Sequence, residues 1–297
     1  MTNNTFLLTA VVAIDDIQYT PFLMNINTDG DTLWTKKLEN EFWETIWDAK
    51  LLPSGNLITF GTARDGNGNV NLITRQISPE GEEIFRKVII TDCSAERPNN
   101  LTWSDDGHLF IGHYCRPSIL SYYPMVTKID TSGNEIWTNY YEDLTTDFTL
   151  DIREGMVQPL PDGGYSFPWG APPDFFTYVT TILAFDSTHQ PIWELPLAQI
   201  NDTRTELYYM NRAANGDLIW TESLLGYNGI SRYVNCIGRA SPTGESKWVR
   251  YYIHEDRPWD FFNKFYYITE TSDGGLLATG LRTDEYESDI TQTEGNI

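Results

Sequence analysis

Positive charge is scarce in this chain. Twenty lysines and arginines face 42 aspartates and glutamates over 297 residues, a net charge of −22. Phosphate binding draws on clustered Lys and Arg, so the balance argues against nucleic acid as a partner, and against an anionic membrane surface. Long apolar runs are missing as well; none approaches the ~20 residues that a membrane helix needs. The segment "TFLLTAVVAI" (5–14) lacks a basic leader region and reads as a strand. No membrane insertion is expected. A secreted, cell-surface or periplasmic setting suits the acidity.

Cysteine is also rare. Cys93, Cys115 and Cys236 form no Cys-x-x-Cys pair and no zinc spacing. The first expectation is three partly buried free thiols, with Cys93 and Cys115 as the two that a secreted setting could join. The four histidines are scattered. His108 and His113 are an odd number apart along one strand and point to opposite faces, which disfavours a two-histidine metal site; His189 stands where a turn glycine is expected and is read as exposed. Neither a nucleophile elbow nor a phosphate-binding loop is present. Helical periodicity is missing too: Gly, Asn, Asp or Pro interrupts about every 8–12 residues.

What the chain has is repetition. Five segments carry a turn followed by an aromatic: "LMNINTDGDTLWTKKL" (23–38), "LITRQISPEGEEIFRKVI" (72–89), "MVTKIDTSGNEIWTNYY" (125–141), "ILAFDSTHQPIWELPL" (182–197) and "CIGRASPTGESKWVRYY" (236–252). Their aromatics, Trp34, Phe85, Trp137, Trp193 and Trp248, recur every 51 to 56 residues. A second motif runs out of phase: "AKLLPSGNLITFG" (49–61), "LTWSDDGHLFIG" (101–112), "VQPLPDGGYSFPWG" (157–170), "NRAANGDLIWTE" (211–222) and "ITETSDGGLLATG" (268–280). Both motifs read strand, tight turn, strand. Glycine supplies the positive φ, and Asp or Asn hydrogen-bonds its own backbone. Each period therefore holds four strands, a to d. Strand b is continuously apolar, as expected when both faces are covered, and strand c is expected to alternate.

A four-stranded unit of this size cannot bury both faces alone. Stacking such units radially does so, which is the β-propeller solution. The expected fold is all-β: one propeller domain over 1–297, its core about 5–283, with a polar tail at 284–297. In it the aromatic after each c–d turn packs on the neighbouring blade, and the Asp of "KIDTSG" ties down its turn. The first period lacks strand a, and the last has only a and b. Five blades with one surplus b-type strand is the simplest count; six blades, or a piece of a longer array, are the alternatives.

"KIDTSGNEIW" together with "PLPDGGY" resembles the propeller repeats of the quinoprotein (PQQ-dehydrogenase-like) superfamily, and most closely the arrays of secreted Bacteroidetes proteins. The resemblance runs from about Thr5 to Leu281. It departs from the usual Ala-x-Asp-x-x-Thr-Gly-x-x-x-Trp pattern, because Asp130 and Gly133 are one residue closer and Ser132 replaces the Thr. It implies architecture. No active site is carried over, since the cysteine pair and cation site of the quinone enzymes are not recognisable. Asp-box sialidase repeats are a second relative in style, which Thr28, Gly30 and Trp34 half fit.

In such a fold, ligands meet the loops that enter strand a. The candidate ligand-binding residues are Trp43, Trp47, Trp259 and Phe262, as flat apolar faces, and Asp48, Asp151, Arg153, Arg204, Glu206 and Asp260, as polar contacts. No cofactor is expected; "DGNGN" (65–69) resembles part of a calcium loop but lacks the distal Glu and reads as a turn. The expected function is a non-enzymatic binding or scaffold module for protein or carbohydrate. A glycoside hydrolase or lyase with a carboxylate pair such as Asp48 and Asp151 is one alternative. A structural part of a larger surface assembly is the other.

Overall fold

The computed structural model describes residues 5–13, 19–38, 43–90, 93, 96–116, 122–144, 156–171, 179–197, 204–225, 233–252 and 264–281. These form two compact units, Met1–Leu150 and Asp151–Ile297. The only helical turn among the described residues is a 3-10 turn, Glu142–Leu144.

The first unit holds three antiparallel sheets. Sheet 1 is β1 (Thr5–Ala13), β2 (Tyr19–Asn27) and β3 (Thr32–Lys37). Sheet 2 is β4 (Glu44–Leu51), β5 (Leu57–Arg64), β6 (Val70–Ile77) and β7 (Glu83–Ile89). Sheet 3 is β8 (Glu96–Trp103), β9 (Leu109–Cys115), β10 (Tyr123–Ile129) and β11 (Glu135–Tyr140). The second unit holds three more. Sheet 4 is β12 (Gln158–Pro159), β13 (Tyr165–Ala171), β14 (Val179–Phe185) and β15 (Pro191–Pro196). Sheet 5 is β16 (Arg204–Arg212), β17 (Leu218–Leu225), β18 (Tyr233–Ala240) and β19 (Ser246–Tyr252). Sheet 6 is β20 (Lys264–Glu270) with β21 (Leu276–Leu281). Strands follow chain order in every sheet, so each link is a hairpin. Among the described residues the first sheet has no a strand and the last only a and b, as the repeat analysis expects.

Successive sheets within each unit stack face to face. Leu23 of sheet 1 meets Leu57 and Ile77 of sheet 2, and Ile58, Phe60 and Leu72 of sheet 2 meet Leu101, Ile111 and Ile129 of sheet 3. In the second unit, Ile182 joins Met210, Leu218 and Trp220, and Ile219 and Ile237 join Ile268. Coverage on both faces makes the b strands β5 and β9 almost wholly buried. The c strands β6 and β10 differ from expectation: they do not alternate but are buried nearly throughout, whereas β2 and β14 alternate as expected. In β6 and β10 stacking covers c as it covers b, and the outermost strands alternate, as in β3, β7 and β15.

The turn aromatics join neighbouring sheets. Trp34 Nε1 donates to the Pro79 carbonyl at 3.0 Å, and Trp193 Nε1 to the Pro242 carbonyl at 3.2 Å. Both carbonyls lie in the c–d turn of the next sheet. Each ring then rests on the glycine of that turn. A Cβ on Gly81 would lie 3.1 Å from Trp34, one on Gly133 2.7 Å from Phe85, and one on Gly244 2.6 Å from Trp193. Trp137 packs on Phe110 of its own sheet at 5.8 Å. The turns are tied as expected: Asp130 Oδ1 accepts from the Ser132 and Asn134 amides, both at 2.8 Å. Burial pushes the Asp130 carboxyl up, but the hydrogen bonds from Asn134 and Ser132 outweigh it and hold it below its ordinary value.

Two readings of the sequence change. Cys93 and Cys115 are joined in a disulfide with Cα atoms 5.5 Å apart, and Cys236 alone is free and buried. Spacing did not favour this pair, because the β8–β9 hairpin, not chain proximity, brings the two together. His189 is half-buried, with φ of 67°, and its Nδ1 lies 2.8 Å from the Tyr165 hydroxyl. That contact holds a non-glycine residue in the left-handed conformation.

Two outcomes follow. Gly274 has φ of +81° and no neighbour within 4 Å, so Gly274→Ala loses about 1 kcal/mol from backbone strain alone. Gly244→Ala adds the clash with Trp193 and loses about 3 kcal/mol in urea denaturation; equal losses would show that the ring does not need the bare turn. Denatured without reductant, the chain yields one titratable thiol, and with reductant three.

Candidate functional site

Strand a enters its sheet from a long connection, and there four sheets repeat one irregularity. The register slips between Ile46 and Asp48 in β4, Pro98 and Asn100 in β8, Leu207 and Tyr209 in β16, and Phe265 and Tyr267 in β20. The extra residue is Trp47, Asn99, Tyr208 or Tyr266. A bulge turns one side chain out of the pleat, and such bulges are frequent beside binding sites.

The b strand accommodates the bulge. Gly61 pairs with Ile46, and a Cβ there would lie 1.8 Å from the Thr45 carbonyl oxygen. Gly280 pairs with Phe265 and would meet the Lys264 carbonyl at 1.9 Å. The same register position holds His113 in sheet 3 and Glu222 in sheet 5. Both are buried. Where two sheets place glycine, two others place a titratable group.

In the first unit, Trp47 is 54% exposed. Beside it, Asp48 acts in the architecture: Oδ2 accepts from the Leu101 amide of sheet 3 at 2.9 Å, Oδ1 accepts from the Ala49 amide at 2.7 Å, and Lys50 lies 3.0 Å away. The Trp43 carbonyl accepts from the Arg64 amide at 2.8 Å, and the Arg64 guanidinium lies 6.0 Å from the Trp43 ring. Glu44 is buried and held bidentately by Arg75 at 2.6 and 2.9 Å, with Arg86 at 3.1 Å. Arg75 also pairs with Glu83. This is a compensated network; removing one member leaves a buried charge and costs several kcal/mol, roughly 3–5. His113 Nε2 lies 2.8 Å from Thr127 Oγ1, itself 2.9 Å from Thr138 Oγ1.

In the second unit, the Tyr208 hydroxyl donates to Glu206 Oε2 at 2.5 Å. Lys264 Nζ lies 3.6 Å from the same oxygen and 4.6 Å from the centre of the Tyr208 ring. Tyr266 meets Tyr208 edge-on at 5.7 Å and is 39% exposed. Of the residues expected from sequence, the structure thus brings Glu206 into a cluster with two bulged tyrosines. Asp151, Arg153, Trp259, Asp260 and Phe262 lie outside the described residues, as does the Arg204 side chain. Tyr208, Lys264 and Tyr266 were missed, although the paired aromatics of "ELYYM" and "KFYYI" carry the signal. Asp65 of the calcium-like loop accepts from the Asn67 and Asn69 amides, both at 2.9 Å, as a turn does.

Glu222 sits differently. Its Oε1 accepts from Trp220 Nε1 at 3.2 Å, its Oε2 has no hydrogen-bond partner, and its register neighbours are Leu207 and Cys236. Desolvation raises the carboxyl from 4.5 to about 7, against the smaller effect of the Trp220 bond. The Cys236 thiol is raised too, by burial and then by Glu222. The folded state therefore prefers the protonated acid. Stability is full below pH 4.5 and falls as pH rises towards 7. Glu222→Gln is expected to stabilise by about 3 kcal/mol at pH 8 and to change little at pH 5. Urea midpoints at the two pH values check this; a gain of equal size at both would mean that packing, not ionisation, is responsible.

No protein-family model matches this chain, and no curated protein matches it. Solved structures do match at the level of fold. A protein of unknown function from Dyadobacter fermentans is similar over 79% of this chain and 73% of its own, with 13% identity and a TM-score of 0.51. Cobalt-substituted apocarotenoid oxygenase from Synechocystis is similar over 84% of this chain, with 11% identity and a TM-score of 0.50. A eukaryotic initiation factor is matched over 83% of this chain at 11% identity and a TM-score of 0.36. The chain spans 58% of the oxygenase and 62% of the initiation factor. The Dyadobacter protein and the oxygenase share an all-β architecture with the chain, and the oxygenase is a propeller.

Proposed function

We propose that this chain is a non-catalytic binding module built on propeller blades of the quinoprotein-like kind, acting outside the cytoplasm on a carbohydrate or protein ligand. Four complete four-stranded sheets are described, and five is the blade count this reading takes. The Cys93–Cys115 disulfide favours an oxidising compartment, and the net charge of −22 opposes a nucleic-acid ligand.

The observation that carries the binding reading is the repeated bulge. It turns Trp47 and Tyr266 outward at the loop-bearing ends of the a strands, leaving them 54% and 39% exposed. Rigid strands holding exposed aromatics are the usual anchors of recognition. The described carboxylates nearby serve other ends: Glu44 is neutralised by arginines, Asp48 holds backbone amides, and Glu222 is sealed in the core.

The test is a thermal-shift screen of glycans, followed by Trp47→Ala and Tyr266→Ala. Each variant is expected to weaken binding of the hit about tenfold or more with an unchanged melting temperature. A large loss of stability in both would instead make these rings packing elements. Turnover of a glycan by the wild type would replace this reading with the hydrolase one.

A further inference from the structure

Several lysines of this chain are tied directly to a polar side chain. Lys247 Nζ lies 2.7 Å from Asp217, and Lys50 Nζ 3.0 Å from Asp48. Lys87 lies 4.8 Å from the centre of the Phe85 ring, yet its Nζ is also bonded to Asn134 Oδ1 at 2.6 Å. Lys264 of the second unit meets its acid differently. Its Nζ is 3.6 Å from Glu206 Oε2, beyond a direct hydrogen bond. It sits 4.6 Å from the centre of the Tyr208 ring instead.

The surroundings of that ammonium form a cage. Tyr208 and Tyr266, the bulged residues of β16 and β20, meet edge-on at 5.7 Å. The Tyr208 hydroxyl donates to Glu206 Oε2 at 2.5 Å, which fixes ring and carboxylate together. The following residues, Tyr209 and Tyr267, pair at 4.6 Å, and Thr221 Oγ1 donates to the Phe265 carbonyl at 3.0 Å. These contacts hold the two bulges to one another. Exposure rises across the cage: Tyr208 is buried, the Lys264 and Glu206 side chains are 18% and 22% exposed, and Tyr266 is 39% exposed. Aromatic rings beside a carboxylate, partly shielded from water, are the chemistry that recognises an alkylammonium.

We infer that Glu206, Tyr208 and Tyr266 form a binding site for a primary ammonium group, that Lys264 occupies it in the unliganded chain, and that the ammonium of a ligand displaces Lys264 Nζ. The inference deepens the binding-module reading and rests on it. An incoming ammonium gains a direct charge-assisted bond to Glu206 where Lys264 stands off at 3.6 Å. The net charge of −22 draws a cationic ligand towards the chain. Two sources carry this group, a lysine side chain of a protein ligand and an amino sugar, and the test separates them.

Tetralysine and the glucosamine tetramer are the probes, titrated by calorimetry at pH 6 with the N-acetylglucosamine tetramer as the neutral control. One charged probe is expected to bind the wild type, and to bind Lys264→Gln about fivefold tighter because the internal occupant is gone. Lys247→Gln, an equal change of charge elsewhere in the unit, is expected to give no such gain, and adding Glu206→Gln to Lys264→Gln is expected to abolish it. Tetralysine as the tighter probe assigns a protein ligand, and the glucosamine tetramer an amino sugar. A second measurement does not depend on the affinity of either probe: n-butylammonium, but not n-butanol, is expected to raise the melting temperature of Lys264→Ala and to leave the wild type unchanged. Unchanged or weaker binding to Lys264→Gln, with no rescue by n-butylammonium, would make Lys264 a tie between sheets 5 and 6 and overturn the inference. A neutral glycan that binds through Trp47 with equal affinity in wild type and Lys264→Gln, while neither charged probe binds, would overturn it too and leave the binding module standing.

Discussion

The structure depends on an aromatic ring lying on a glycine turn. Four-stranded sheets of this size are stable only when another sheet covers each face. The outer half of that interface is held by Trp34, Phe85 and Trp193, each seated on the turn of the next sheet. Glycine is required twice over at the socket: the turn needs a positive φ, and the ring occupies the space of a Cβ. Burying such a ring is worth roughly 2–3 kcal/mol. The tryptophan hydrogen bond to a turn carbonyl adds direction to a contact that would otherwise be free to slide. Burial of the b and c strands follows from this registration.

A second constraint works at the other end of the sheet. The a strand bulges in four sheets, and its backbone then crowds strand b. Glycine solves this in sheets 2 and 6, where Gly61 and Gly280 admit a carbonyl oxygen at distances no side chain tolerates. In sheets 3 and 5 the position opposite the same register slip carries His113 and Glu222 instead. Each unit thus carries equivalent register positions with different chemistry. Glu222 illustrates the cost: an acid in an apolar layer, with one oxygen unsatisfied, favours the protonated form.

The repeat, the strand order and the partial sheets at both ends were legible because turns and aromatics recur at fixed spacing. The role of the turn Asp was legible for the same reason, since Asp130 acts within five residues of itself. What escaped depends on partners distant in sequence. Asp48 reads as a loop-end acid and is held by an amide 53 residues away. The Cys93–Cys115 bond needs the β8–β9 pairing to be known first. The glycines ending "LITFG" and "LLATG" were visible as letters, but a bulge in another strand gives them meaning. Burial of β10 almost throughout was not legible because alternation in Val126, Thr127 and Lys128 describes polarity, and a stacked sheet buries threonine as readily as valine.

The acidity of the chain is in part architectural. Turn carboxylates accept backbone amides that would otherwise be unsatisfied, and this holds Asp130 and Asp186 below the ordinary Asp value of 3.8. Asp217 is lowered as well: burial raises it, but Lys247, Asn215 and Arg239 outweigh that. A depressed carboxylate stabilises the fold above its unfolded pKa, and that stability is lost as pH falls through the folded value. Glu222 has the opposite sign, because its folded value is raised and its contribution is lost as pH rises from 4.5 towards 7. The two effects enclose a window between the Asp and Glu reference values, 3.8 and 4.5, in which the turn acids are still largely charged and the core acid is still largely neutral. Above that window the turns keep their full strength while the inter-sheet layer around Trp220 loses its own. Alkaline loosening therefore begins in the packing of sheet 5, where the repeat departs from glycine, and not in the hairpins that define the repeat.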